Sequence, residues 1–139
     1  MQTPANLTFL MWMSESFVML QNMQTNQLTV YWYVSPSGRN VVWDFVANLS
    51  ENQRTKVQRT LTLAEKYGLN MIQPYVKKLV GTPLWEIRIL GKDNIRVVYV
   101  TKSGNAIMVL HAFIKKKQKT PQREINTAMR RLQELASCL

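Results

Sequence analysis

The sequence predicts an α+β domain whose elements run β-α-α-β-β-β-α. Three observations carry this expectation. Apolar residues from Val42 to Ala64 recur at helical spacing and are interrupted by a capping signal. Residues 84–114 hold three β-branched and aromatic runs separated by tight-turn sequences. A second helical stripe then follows Thr120-Pro121, a residue pair suited to a helix start.

Each element has its own local reason. Leu28 to Val34 (LTVYWYV) reads as a strand, and Ser35-Pro36-Ser37-Gly38 as the turn after it. Val42, Phe45, Val46 and Leu49 fall at i, i+3, i+4, i+7, which is one face of a helix. Ser50-Glu51-Asn52-Gln53 is a capping box, with Ser50 placed to cap a second helix. That helix turns Val57, Leu61 and Ala64 inward and stops at Gly68. With almost no linker between them, the two helices form a hairpin. Pro74, Gly81 and Pro83 punctuate an irregular stretch. Leu84 to Leu90, Asn94 to Thr101 and Ala106 to Ile114 are then three strands. The short connections GKDN and KSGN make them an antiparallel meander. Ile125, Met129, Leu132 and Ala136 trace the last helix.

At 139 residues one domain is expected, and it is long enough to bury a core without a staple. The single cysteine, Cys138, excludes an internal disulfide and a cysteine metal cage. One histidine, His111, excludes a multi-histidine metal site. GxxxxGK[ST] and GxGxxG are both absent, which argues against the common nucleotide loops. No metal and no cofactor are expected. No apolar run reaches the ~18 residues of a membrane span, so no membrane partner is expected either. The first 27 residues are Met-rich, nearly uncharged and a poor secretory signal. They read as an N-terminal extension, with 28–139 as the working domain.

Charge points to the partner. The formal net charge is +10, from 18 Lys and Arg against 8 Asp and Glu. Residues 1–38 hold Glu15 and no Lys or Arg, so every cation lies beyond them. Eleven bases fall within 77–123 (Lys77, Lys78, Arg88, Lys92, Arg96, Lys102, Lys115, Lys116, Lys117, Lys119 and Arg123). Such a concentration is an electrostatic footprint for nucleic acid.

Strand alternation supplies a candidate site. In the first meander strand Trp85, Ile87 and Ile89 share one face, and Glu86 and Arg88 the other. Burying Arg88 or the next strand's Arg96 unpaired is costly, so both belong on an open face or in an ion pair. Given a suitable register, Glu86, Arg88 and Arg96 converge beside the loop Lys115-Lys116-Lys117-Gln118-Lys119. That grouping suits metal-free phosphodiester cleavage, in which a ribose 2′-OH attacks phosphorus and fixed cations stabilise the phosphorane. Glu86 is a candidate base and His111 a candidate acid. A lysine with a pKa lowered by its neighbours fits either role. The structural alternatives are an ion pair for Glu86 with either arginine and a core or sheet-edge position for His111, which alternates with Val109 and Phe113. Lys77, Lys78, Lys115, Lys116, Lys119 and Arg123 are candidate RNA contacts, which position rather than specify. Trp32, Trp43, Trp85 and Tyr99 read as packing residues.

The strings LWEIRI, IRVVYV and IMVLHAFIKKKQKTPQREINTA resemble the RelE/HigB group of toxins, and in particular its phage-derived branch. These are the toxin halves of bacterial toxin–antitoxin pairs. The resemblance covers residues 28–136 and is most specific from Leu110 to Ile125. It implies a twisted antiparallel sheet with helices packed on one side. It further implies a cytoplasmic mRNA endonuclease acting on ribosome-bound message, and a cognate antitoxin. Glu86 and Arg88 match the polar pair of the family's strand, Arg96 its central-strand arginine, and Lys117 the basic residue after the last strand, with Lys119 nearby. The C-terminal tyrosine of the family site is missing, and Gln122 and Arg123 stand in its neighbourhood. A ParE-like poison of DNA gyrase shares the scaffold, so fold alone does not separate the two. A non-catalytic relative that only binds its antitoxin and DNA is the third reading.

Overall fold

The computed structural model describes residues 27–103 and 105–137. The expected N-terminal extension up to Asn26, Gly104 of the KSGN turn, Cys138 and Leu139 lie outside the described residues. Strand β1 (Thr29–Trp32) leads through a turn into α1 (Val41–Ala47) and α2 (Glu51–Tyr67). A 3-10 segment (Leu69–Tyr75) passes into β2 (Val76–Lys78). The meander follows as β3 (Trp85–Arg88), β4 (Ile95–Lys102) and β5 (Ala106–Ile114), and α3 (Gln122–Ser137) closes the described chain.

The local signals act as their chemistry requires. Ser50 Oγ accepts from Gln53 N, and the Gln53 side chain accepts from Ser50 N, so two otherwise orphaned N–H groups are satisfied reciprocally. Val57, Leu61 and Ala64 are buried along the inner stripe. Gly68 ends α2 at φ +86°, a conformation disfavoured for residues with a Cβ. Asn40 caps α1 by accepting from Trp43 N at 3.1 Å, and Val42 and Val46 are buried.

The five strands form one sheet in the order β1-β5-β4-β3-β2. Strands β3 to β5 pair antiparallel, as expected. Two features differ from the sequence reading. β1 adds to the far edge parallel to β5, with Thr29 opposite Ala106 and Trp32 opposite Val109. The chain between these parallel strands passes through the hairpin and the three strands β2 to β4. A fifth strand, β2, pairs with β3 at the other edge over only three residues.

A bulge sets the two faces. Val98 stands opposite His111, yet Tyr99 stands opposite Val109, so Leu110 is the extra residue on β5. Its freed carbonyl accepts from Arg131 Nη1 of α3 at 2.8 Å. Beyond the bulge the alternation inverts, so Val109 and His111 point to opposite faces. One face carries Ile87, Val97, Tyr99 and Val109, all essentially inaccessible to solvent. The hairpin covers this face, with Trp43 of α1 meeting Trp32 of β1 edge-on at 5.3 Å. The other face carries Glu86, Arg88, Arg96, Val98, His111 and Phe113. Helix α3 lies on that second face, where Leu132 and Leu135 share a recess with Val100 and Met108. The hairpin is thus on one side as expected, but the terminal helix is not with it. Because α3 covers the β5 and β1 end, the β2–β3 end of its face stays open.

Candidate active site

The open part of the second face is where the predicted residues meet. The GKDN turn fixes the register so that Arg88 lies directly opposite Arg96. Glu86 is diagonal to Arg96, and its carboxylate Oε1 lies 3.0 Å from Arg96 Nε. Both groups are buried, with 4% and 6% of their surface exposed. The pair is close but poorly aligned, since Nε–H makes no hydrogen bond. Arg96 Nη1 instead donates to Ile95 O at 3.1 Å. Burial pulls the Arg96 pKa down and the Glu86 charge pushes it back up. The second oxygen of Glu86 accepts from the Thr120 hydroxyl. Thr120 was expected to cap α3, and its hydroxyl is spent on Glu86 instead. Both carboxylate oxygens are therefore engaged.

Arg88 remains exposed at the mouth of this pair. Two adjoining clefts share it. One, of about 130 Å³, is lined by Pro74, Tyr75, Lys77, Glu86, Arg88, Lys115 and Gln118. The other, of about 360 Å³, is lined by Arg88, Asn94, Arg96, Gln118 and the three lysines 115–117. Lys115 is common to both. Its backbone N–H donates to Asn94 O at 2.8 Å, which ties the start of the basic loop to the β3–β4 turn. Burial lowers the Lys115 pKa first; Glu86 opposes that, and Arg96, Lys77 and Arg88 add to the lowering. An ammonium among cations loses its proton more readily.

The clefts gather Glu86, Arg88, Arg96, Lys77, Lys115, Lys116 and Lys117. Other predicted residues are placed elsewhere. Lys78 is on the opposite face, with Nζ 4.9 Å from the centre of the Trp85 ring. Lys119 is exposed and lines neither cleft. Arg123 lines a neighbouring recess. His111 sits under α3 and lines neither cleft. Its Nε2 is 2.9 Å from Glu124 Oε2, and its Nδ1 is 3.1 Å from Arg131 Nη1. Arginine only donates, so Nδ1 accepts and Nε2 carries the hydrogen given to Glu124. Burial lowers the His111 pKa, Glu124 opposes this, and Arg131 and Arg130 add to the lowering. His111 therefore stands as a neutral structural link, and the expected general acid is not at the clefts.

Three lining residues escaped the sequence reading. The sequence offers no tyrosine near the C-terminus, and the aromatic of this cleft, Tyr75, comes instead from the 3-10 segment before β2. Asn94 belongs both to the GKDN turn and to the expected start of the second meander strand, and it adopts φ +55°. Gln118 was an uncharged member of a basic run.

Residues 44–133 match the family described as Phage derived protein Gp49-like (DUF891). The chain belongs to this family. It is a RelE-like toxin family of the toxin–antitoxin kind, which brings with it a cognate antitoxin as partner. No curated protein matches the chain. The matched span contains every residue of the two clefts. Among the described residues, no helix is long and apolar enough to cross a membrane.

Proposed function

We propose that residues 28–139 form a cytoplasmic HigB-type toxin, a metal-independent endoribonuclease that cleaves ribosome-bound mRNA. The observation that supports this best is the open basic cleft in which Arg88 and Lys115 flank the buried Glu86–Arg96 pair. A polyanion is attracted to such a surface, and the cations sit where charge develops on phosphorus. Arg88 holds the phosphate oxygens with a guanidinium fork. Lys115, with its lowered pKa, takes the 2′-OH proton as the free amine. The 2′ oxygen bonds to phosphorus, and the bond from phosphorus to the 5′ oxygen breaks. Lys117, which lines the cleft with Arg88 and Arg96, protonates that leaving oxygen. The products are a 2′,3′-cyclic phosphate and a 5′-hydroxyl. Glu86 and Arg96 position this machinery from beneath, because both are buried and paired with each other.

Controlled bacterial expression of the wild type and Arg88→Ala tests the reading, with primer extension mapping cuts in a translated message. Arg88 is exposed, so the variant folds. Growth arrest with translation-dependent cuts, reduced at least about a hundredfold in the variant, is expected. Arrest with intact message and damaged DNA would replace the reading with gyrase poisoning. Folded protein without arrest would leave a non-catalytic binder.

A further inference from the structure

Beside the cleft lies a recess that the reaction above does not use. It measures about 320 Å³ and is lined by Phe113, Ile114, Lys116, Lys117, Pro121, Arg123 and Glu124. Lys116 and Lys117 line this recess and the larger cleft alike, so the two adjoin. Its composition differs from that of the cleft. Phe113, Ile114 and Pro121 give it an apolar wall, and Ile114 is 41% exposed. Lys116, Lys117 and Arg123 stand along it, and Glu124 is its single acid.

Glu124 is held rather than loose. Its Oε2 accepts from His111 Nε2 at 2.9 Å, and its Oε1 lies 3.5 Å from Arg123 Nε, a largely exposed group. His111 is fixed in turn by Arg131 and by stacking on Phe113 at 5.6 Å. An ionised carboxylate only accepts, and each oxygen has two acceptor sites, so capacity is left on both. The recess therefore combines an apolar wall for a flat ring, cations for a backbone, and one oriented anion that reads N–H groups. Single-stranded RNA is recognised in this way, with a base splayed onto an apolar surface and its edge hydrogen-bonded.

We propose that this recess is a nucleobase subsite, that Glu124 reads the base next to the scissile phosphate, and that guanine fits it best. Guanine presents two adjacent N–H donors on its Watson–Crick edge, matching the two oxygens of a carboxylate. Uracil and cytosine put a carbonyl or a ring acceptor beside their donor, and adenine a ring acceptor, which the carboxylate repels. His111 is the positioning residue that orients Glu124. The inference rests on the proposed RNA cleavage and adds the determinant of where the cut falls.

Sequencing of the 5′ ends produced in translated messages tests it, with the wild type and Glu124→Gln expressed side by side. Wild-type cuts should favour guanine at one position flanking the cut. In Glu124→Gln that preference should fall about tenfold, because the carboxamide presents a donor to one of the guanine donors. A second arm needs no variant: replacing the flanking guanine of a strong site in the message should weaken that cut about tenfold. Wild-type cuts without a flanking preference for guanine overturn the subsite and leave the nuclease standing. So does a guanine preference unchanged in folded Glu124→Gln. Absence of wild-type cuts overturns the nuclease reading itself, and the subsite with it.

Discussion

Two polar clusters sit on the same sheet face, and they have opposite fates. At the β3–β4 end, Glu86 and Arg96 are buried beneath an open basic cleft. At the β5 end, His111 is joined to Glu124 and Arg131 of the helix that covers it. Both place charge in a poorly solvated setting, which is tolerated only with a partner. What separates them is cover. Helix α3 lies across β5 and fills its polar groups with its own side chains. It stops short of β3, so the Arg88 and Lys115 side chains there keep capacity for a ligand. Residue type therefore does not assign chemistry on this face, because the helix above decides which polar groups are left to react.

The contrast breaks most severely at Arg96. In Arg96→Ala, Glu86 remains buried with only the Thr120 hydroxyl to satisfy it. A buried charge left without its partner costs about 3–5 kcal/mol. Urea unfolding should show that loss, and adding Glu86→Gln should recover more than half of it. Growth arrest should vanish as well, through loss of the folded cleft rather than of one contact. Arg88→Ala, on the exposed side of the same strand pair, should change stability by less than about 0.5 kcal/mol. If Arg96→Ala proves as stable as Arg88→Ala, the pair is not a foundation for the site.

Lys115 sharpens the open half of the comparison. As a base it must lose its proton, and its pKa is lowered below the ordinary lysine value of 10.5. Cleavage rate should therefore rise with pH as that lowered pKa is approached. Arginine keeps its proton at any working pH. Lys115→Arg should thus keep RNA binding but cut roughly a hundredfold more slowly or worse, without the rise with pH. A Lys115→Arg variant with the wild-type pH profile would remove the lysine from the proton transfer.

How far the sequence carries this picture follows from the range of each signal. Ser50, Gln53 and Gly68 act within a few residues of themselves, so the hairpin boundaries are legible. The GKDN turn is also local, and it fixes the Arg88–Arg96 register that brings the candidate site together. The parallel seating of β1 on β5 depends on residues some 77 positions apart, Thr29 and Ala106, and no local pattern announces it. Strand β2 is three residues long and shows no alternation. The bulge at Leu110 is the most instructive miss. Simple alternation puts His111 and Val109 on one face, and the inserted residue separates them. The sequence reading left His111 between acid and core, and only the bulge and α3 reveal that it faces Glu124 and Arg131. Lys115 and Lys117 were both visible as charge, but which one lies beside Glu86 depends on how the chain leaves β5.

The covered cluster makes the smallest and most specific prediction. The folded state lowers the His111 pKa below its ordinary 6.5. Above that pH the residue is neutral in both states, and the His111–Glu124–Arg131 link contributes in full. As pH falls below 6.5, the unfolded chain takes up a proton at His111 and the folded protein does not. Stability is then lost, and the loss levels off once the folded pKa is passed. Burial is the main reason for this resistance to protonation, and Arg131 adds to it, since a proton on Nδ1 would face a guanidinium 3.1 Å away. Urea midpoints taken between about pH 7.5 and about pH 5 avoid most carboxylate titration, which centres near 4. The wild type should lose stability across that window, and His111→Gln should lose markedly less. The open cleft should show no counterpart, because His111 is the chain's single histidine. A slope that survives in His111→Gln would mean that the covered cluster is not what senses pH.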